Sequence, residues 1–93
     1  MLYEEKVDSF PGLEKRLRSF DQDEGVRILG RSGGRKVLVF VTRSGSGYLA
    51  MTYAVKSGGA PGKRLQAIEL DGAEEVIRVL RRLTKGRLRA WIY

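Results

Sequence analysis

Apolar residues recur along this chain with a period near 3.6 towards its two ends and a period of 2 through its middle. Leu13, Leu17 and Phe20 stand at i, i+4 and i+7, with Lys15, Arg16 and Arg18 off their stripe, which predicts an amphipathic helix. Ser9-Phe10-Pro11-Gly12 opens it, proline being favoured in a first helical turn, and Asp21-Gln22-Asp23-Glu24-Gly25 ends it. Alternation then takes over. A first candidate strand, 26–31, sets Val26 and Ile28 against Arg27, Leu29 and Arg31. A second, 36–43, sets Val37, Val39 and Val41 against Lys36, Leu38, Phe40 and Thr42. A third, 48–56, sets Leu49, Met51, Tyr53 and Val55 against Tyr48, Ala50, Thr52, Ala54 and Lys56. Turn signals separate them at 32–35 and 44–47, and a glycine-rich loop over 57–62 leads to a fourth strand at 63–70. Connections this short predict an antiparallel meander, because a parallel crossover needs about a dozen residues or more. A second helix starts at Asp71, read as its N-cap with Glu74 as capping-box partner. It buries Val76, Ile77, Leu80 and Leu83, and closes at Gly86. The tail alternates again, Leu88, Ala90 and Ile92 against Arg87, Arg89, Trp91 and Tyr93. An extended segment is expected there, pairing with an edge strand of its own chain or of another subunit.

These elements assemble most simply as one α+β domain over residues 1–93, a four-stranded antiparallel sheet with both helices on one face, in the order α-β-β-β-β-α plus the extended tail. Residues 86–93 are a candidate for oligomerisation or strand exchange. Val26, Ile28, Val37, Val39, Val41, Leu49, Met51 and Val55 are expected beneath the helices. The open face is then expected to carry Arg27, Leu29, Arg31, Lys36, Leu38, Phe40, Tyr48, Lys56 and Arg64. Cations, rings and aliphatics mixed on one uncovered face suit a single-stranded nucleic acid, whose bases stack on rings while Arg and Lys hold the phosphates. Burial of Leu29, Leu38 and Phe40 in an oligomer interface is the alternative fate of the same patch.

Charge sharpens this picture. Residues 25–68 hold eight cations and no acid, and residues 76–93 hold six more and no acid. Zone by zone the chain carries −3, +8, −4 and +6, for the net charge of +7. Segregation by sign builds a positive field that attracts polyanions, whereas a surface charged only for solubility would interleave the signs. Arginine outnumbers lysine twelve to six, and its planar fork grips phosphate bidentately and stacks on bases. Cysteine, histidine and asparagine are absent. The first two absences remove disulfides, thiolate metal sites and the commonest acid–base group. With the high charge, they also match proteins of hot environments. No apolar run approaches a membrane span, and Met1-Leu2-Tyr3-Glu4-Glu5 is too acidic for a secretory leader. A cytoplasmic, nucleoid-associated protein without membrane attachment is expected.

Two glycine-rich stretches imitate nucleotide motifs. Gly45-Ser46-Gly47-Tyr48-Leu49-Ala50 matches the dinucleotide fingerprint by letter, but a strand pattern follows where the fingerprint needs a helix. It is read as a hairpin turn. In Ser57-Gly58-Gly59-Ala60-Pro61-Gly62-Lys63-Arg64 the first Walker glycine is Ser57 and the magnesium-binding hydroxyl position is Arg64, so it is read as a basic loop. A nuclease lacking His and Cys would need clustered carboxylates for Mg²⁺. The candidates Asp21, Asp23, Glu24, Glu69, Asp71, Glu74 and Glu75 fall at predicted helix ends, where helix capping and termination account for them. No enzyme, cofactor or metal is expected.

Helix, four antiparallel strands with glycine-rich basic turns, and a second helix resemble, over about residues 9–85, the DNA-binding domain of the archaeal ThermoDBP family. The resemblance rests on element order and composition, and the leucine-zipper tail of the larger members is absent. It implies sequence-tolerant binding of single-stranded DNA in a cleft against the sheet, by a homo-oligomer, a dimer or tetramer. From the residues themselves, the expected site is Arg27, Arg31, Lys36, Phe40, Tyr48, Lys56 and Arg64, with Arg35 and Lys63 in the flanking loops. RNA, duplex DNA as bound by chromatin or ribosome-associated basic proteins, and a protein partner are the alternatives. Trp91 and Tyr93 either stack on bases or anchor the tail.

Overall fold

The computed structural model describes residues 5–22, 24–85 and 87–93. Residues 1–4, Asp23 and Gly86, on which a leader, a metal-binding carboxylate and a helix cap were considered, lie outside the described residues. The element order is β1 (Glu5–Val7), α1 (Phe10–Arg18), β2 (Gly25–Ser32), β3 (Arg35–Ser44), β4 (Gly47–Val55), β5 (Pro61–Leu70), α2 (Ala73–Thr84) and β6 (Ala90–Ile92).

The fold is α+β with an antiparallel open sheet, but the sheet has six strands and not four, ordered β1-β6-β2-β3-β4-β5. The meander β2 to β5 follows the sequence reading. What that reading lacked is the left side, where the alternating tail becomes β6 and pairs with β2 (Val26↔Ile92, Arg27↔Trp91, Ile28↔Ala90). The short β1 then pairs with β6 (Glu5↔Ile92, Lys6↔Trp91, Val7↔Ala90). Three residues leave little periodicity to detect, so β1 has no sequence signature of its own. The tail thus pairs inside its own chain.

Helix α1 is capped as expected: Ser9 Oγ accepts from the Gly12 amide at 3.2 Å, and Pro11 occupies the first turn. The cap of α2 is Gly72 and not Asp71, with no side-chain cap bond. Glu74 and Glu75 still occupy its first turn, where they favour the helix dipole. Both helices bury their stripes on one sheet face. Leu13, Leu17, Val76, Ile77 and Leu80 meet Val26, Ile28, Val37, Val39 and Val41, joined from the sheet's left side by Val7, Ala90 and Ile92. Each such side chain contributes about 1.5–3 kcal/mol by leaving water. Gly30 lets α2 approach the sheet, since a β-carbon there would stand 2.8 Å from the Leu83 carbonyl oxygen. No described helix is long and apolar enough to cross a membrane.

The third strand of the meander has the opposite phase from the one its hydrophobicity suggests. Tyr48, Ala50 and Thr52 are buried under the helices, while Met51 and Tyr53 pair with Phe40 and Leu38 across β3 and so share their face. The cause is the turn. Ser44 pairs with Gly47 across the two-residue loop Gly45-Ser46, which places Val41 opposite Ala50 and Val39 opposite Thr52. Both faces of this strand are apolar, so residue type alone does not choose between them. Tyr48 satisfies its polar end in the core, its hydroxyl donating to the Leu17 carbonyl at 2.6 Å.

Candidate nucleic-acid interface

On the face away from the helices, register partners line up across all six strands as Lys6, Trp91, Arg27, Phe40, Met51 and Ala67. At the usual strand spacing of about 4.8 Å, this row crosses about 24 Å of sheet. Beside it runs Leu29, Leu38, Tyr53 and Arg64. The Arg27 guanidinium lies over the Trp91 ring, 5.0 Å from its centroid. Phe40 meets Tyr53 edge-to-face at 5.5 Å and Tyr93 at 6.2 Å. Partial burial, with Tyr53 nearby, raises the Tyr93 phenol above its ordinary pKa. Four rings on β6, β3, β4 and the chain's last residue therefore share one face.

That face carries two hollows. The pairing of β4 with β5 slips between Thr52 and Tyr53 and again between Tyr53 and Val55, and such irregularities bend a strand. Gly58 and Gly59, at φ 91° and 90°, supply the backbone conformation that the β4–β5 loop needs and that L side chains rarely adopt. The loop and Pro61 face Trp91 across a groove of about 520 Å³ floored by Arg27, Leu29, Leu38 and Phe40. Leu38, in its floor, is only 7 % exposed although it lies on the face without helices. A second hollow of about 460 Å³ continues from it past Phe40 and Pro61 to Met51, Tyr53 and Tyr93. Among the described residues, no acid lines either hollow.

Two basic cavities flank the groove at one end of the sheet. Arg35, Lys36 and Lys56 border one of about 590 Å³ around the β4–β5 loop. Arg31, Lys36, Arg87 and Arg89 border another of about 230 Å³ beside the end of α2. Arg31 and Lys36 are direct cross-strand partners, an arrangement in which like charges repel. Arg16 pairs with Glu5, and Arg18 with Glu14 and Glu74. Acids gather at the other end, where Gln22 bonds the Gly45 turn and Gly47 abuts Leu70 and Asp71. Asp21, Glu24, Glu69, Asp71, Glu74 and Glu75 lie in these connections or the element ends that border them.

Of the expected site residues, Arg27, Lys36 and Phe40 line the groove, Arg31 and Arg35 border its basic end, and Tyr48 does not belong to it. Tyr48 is 3 % exposed in the core, held by Leu17 and by Arg43, which donates to its hydroxyl at 2.9 Å. The same change of phase takes Lys56 off the open face. It stands exposed after β4 and reaches the basic cavity from the loop. Lys63 belongs to β5 rather than to a loop, and Lys63 and Arg64 are exposed there without lining these hollows. Tyr53 and Met51 were missed, although counting back from the 44–47 turn assigns their face. Trp91 and Tyr93, left open between stacking and anchoring, border the hollows. Among the described residues no three acids gather as a metal site.

No family model, curated protein or solved structure matches this chain.

Proposed function

We propose that this protein binds single-stranded nucleic acid, DNA in the first instance, with little sequence choice and without catalysing a reaction. The observation that carries the reading is the groove itself: Trp91, Phe40, Leu38 and Leu29 offer ring and apolar surface, Arg27 and Lys36 stand among them, and none of the described residues lining it is acidic. Every base has a π-face, so stacking on rings tolerates any sequence, at about 1–3 kcal/mol per base. Phosphates along the strand are then held by Arg27 and Lys36, with Arg31, Arg35 and Lys56 beside them. The layout's resemblance to the ThermoDBP family points the same way, and DNA is preferred over RNA on that likeness alone.

A competition titration tests this reading. Single-stranded DNA, single-stranded RNA and duplex of equal length compete for the protein at two salt concentrations. Single-stranded DNA is expected to win at both. Preference for duplex would shift the site to the cations of α2, Arg78, Arg81 and Arg82, and overturn the groove reading.

A further inference from the structure

The small cavity beside α2 has a composition unlike the groove it adjoins. Arg31, Lys36, Arg87 and Arg89 contribute four positive charges to about 230 Å³, and no acid accompanies them among the described residues. Among the described residues none of the four side chains takes part in a hydrogen bond or an ion pair. Arg31 and Lys36 face each other directly across β2 and β3. Such a cluster repels itself until an anion enters. The carbonyl end of α2 borders the same space through Leu83 and Thr84. Its dipole contributes about −0.5 charge, which four cations outweigh.

Resting on the reading above, we propose that this cavity receives the terminal phosphate of the strand lying in the groove. Leu29 and Lys36 line both spaces, so a strand leaving the groove at that end meets the cavity next. A phosphomonoester carries about −1.5 to −2 charge at pH 7, against one for an internal phosphodiester, and only the former matches a four-cation site. The walls are charged rather than aromatic, which suits a phosphate and not a base. The same phosphomonoester could be presented by a free mononucleotide, and the experiment separates the two sources.

One oligothymidylate is prepared with a 5′-phosphate, with a 3′-phosphate, and with hydroxyls at both ends. Each is titrated into the wild type and into R87A/R89A, whose two exposed arginines line the cavity but not the groove. One phosphorylated end is expected to bind the wild type about tenfold more tightly than the hydroxyl-ended strand. R87A/R89A is expected to lose that advantage while holding the hydroxyl-ended strand within about twofold of wild type. Equal affinity for all three strands, or an advantage that survives in R87A/R89A, overturns the proposal and leaves the groove reading standing. Calorimetric titration with thymidine monophosphate is the second arm. Binding much weaker than the end-group advantage assigns the cavity to strand ends, whereas saturation at comparable affinity assigns it to free nucleotides and overturns the proposal. Failure of every oligonucleotide to bind overturns the groove reading and the strand-end site together.

Discussion

Tyr48 and Tyr53 lie five positions apart on the same strand and illustrate opposite uses of one side chain. Tyr48 is enclosed by the core, and its hydroxyl donates to the Leu17 carbonyl, which also accepts from the Phe20 amide. Tyr53 borders a solvent-facing hollow against Phe40. Tyr48→Phe is therefore expected to lower stability by about 0.5–1.5 kcal/mol, the net worth of one buried hydrogen bond to a carbonyl that keeps its Phe20 donor, with strand affinity unchanged once folding is accounted for. Tyr53→Ala is expected to do the reverse, weakening binding by about 1–3 kcal/mol with a smaller loss of stability. Denaturation and anisotropy titrations of both variants check the pair; if Tyr48→Phe were the one that lost affinity, the open-face assignment would fail. This distinction was hidden in residue type, since Leu49, Met51 and Val55 look more core-like than Ala50, Thr52 and Ala54. It was present in the turn, because pairing outward from 44–47 already sets Tyr48 opposite Arg43 on the Val41 side.

At the scale of elements, legibility followed length. The helices and the four long strands declared themselves through many repeats of their period, and their ends through Ser9, Pro11 and the glycine turns. β1 is three residues long, too short for periodicity to stand out; the tail's alternation announced an extended segment, which is β6, but not that β1 and β2 would flank it. The slips in β4–β5 pairing were equally illegible, since no single residue announces them. One close approach does name its residue. A methyl group at Gly30 would stand 2.8 Å from the Leu83 carbonyl oxygen, a backbone atom that cannot rotate away. Gly30→Ala should lower stability by about 1–3 kcal/mol as α2 is forced outward. Thermal melts should register it at about 4–8 °C per kcal/mol, and an unchanged melting temperature would show that α2 is not seated on this strand.

For the whole molecule, the decisive property is polarity of charge. Cations border the groove and the end of the sheet carrying the β2–β3 turn, and acids collect at the opposite end. Segregation along the sequence foreshadowed this, though only the topology shows which turns share an end. Six cations along the path, Lys6, Arg27, Arg31, Arg35, Lys36 and Lys56, would give a log–log salt slope of about −4 for a single strand. A slope near zero would mean that the phosphates are not held. The position of β6 adds a consequence for biosynthesis. It is made after the sheet's other five strands and both helices, yet it occupies an inner lane between β1 and β2. Until it arrives, β2 presents a bare margin open to adventitious pairing, β1 has nothing to join, and the indole wall opposite the loop is missing. A nascent chain halted before Ala90 would thus have most of its hydrophobic interior but neither a sealed sheet nor a place for a base to rest, so competence to bind would switch on with the last strand to be made.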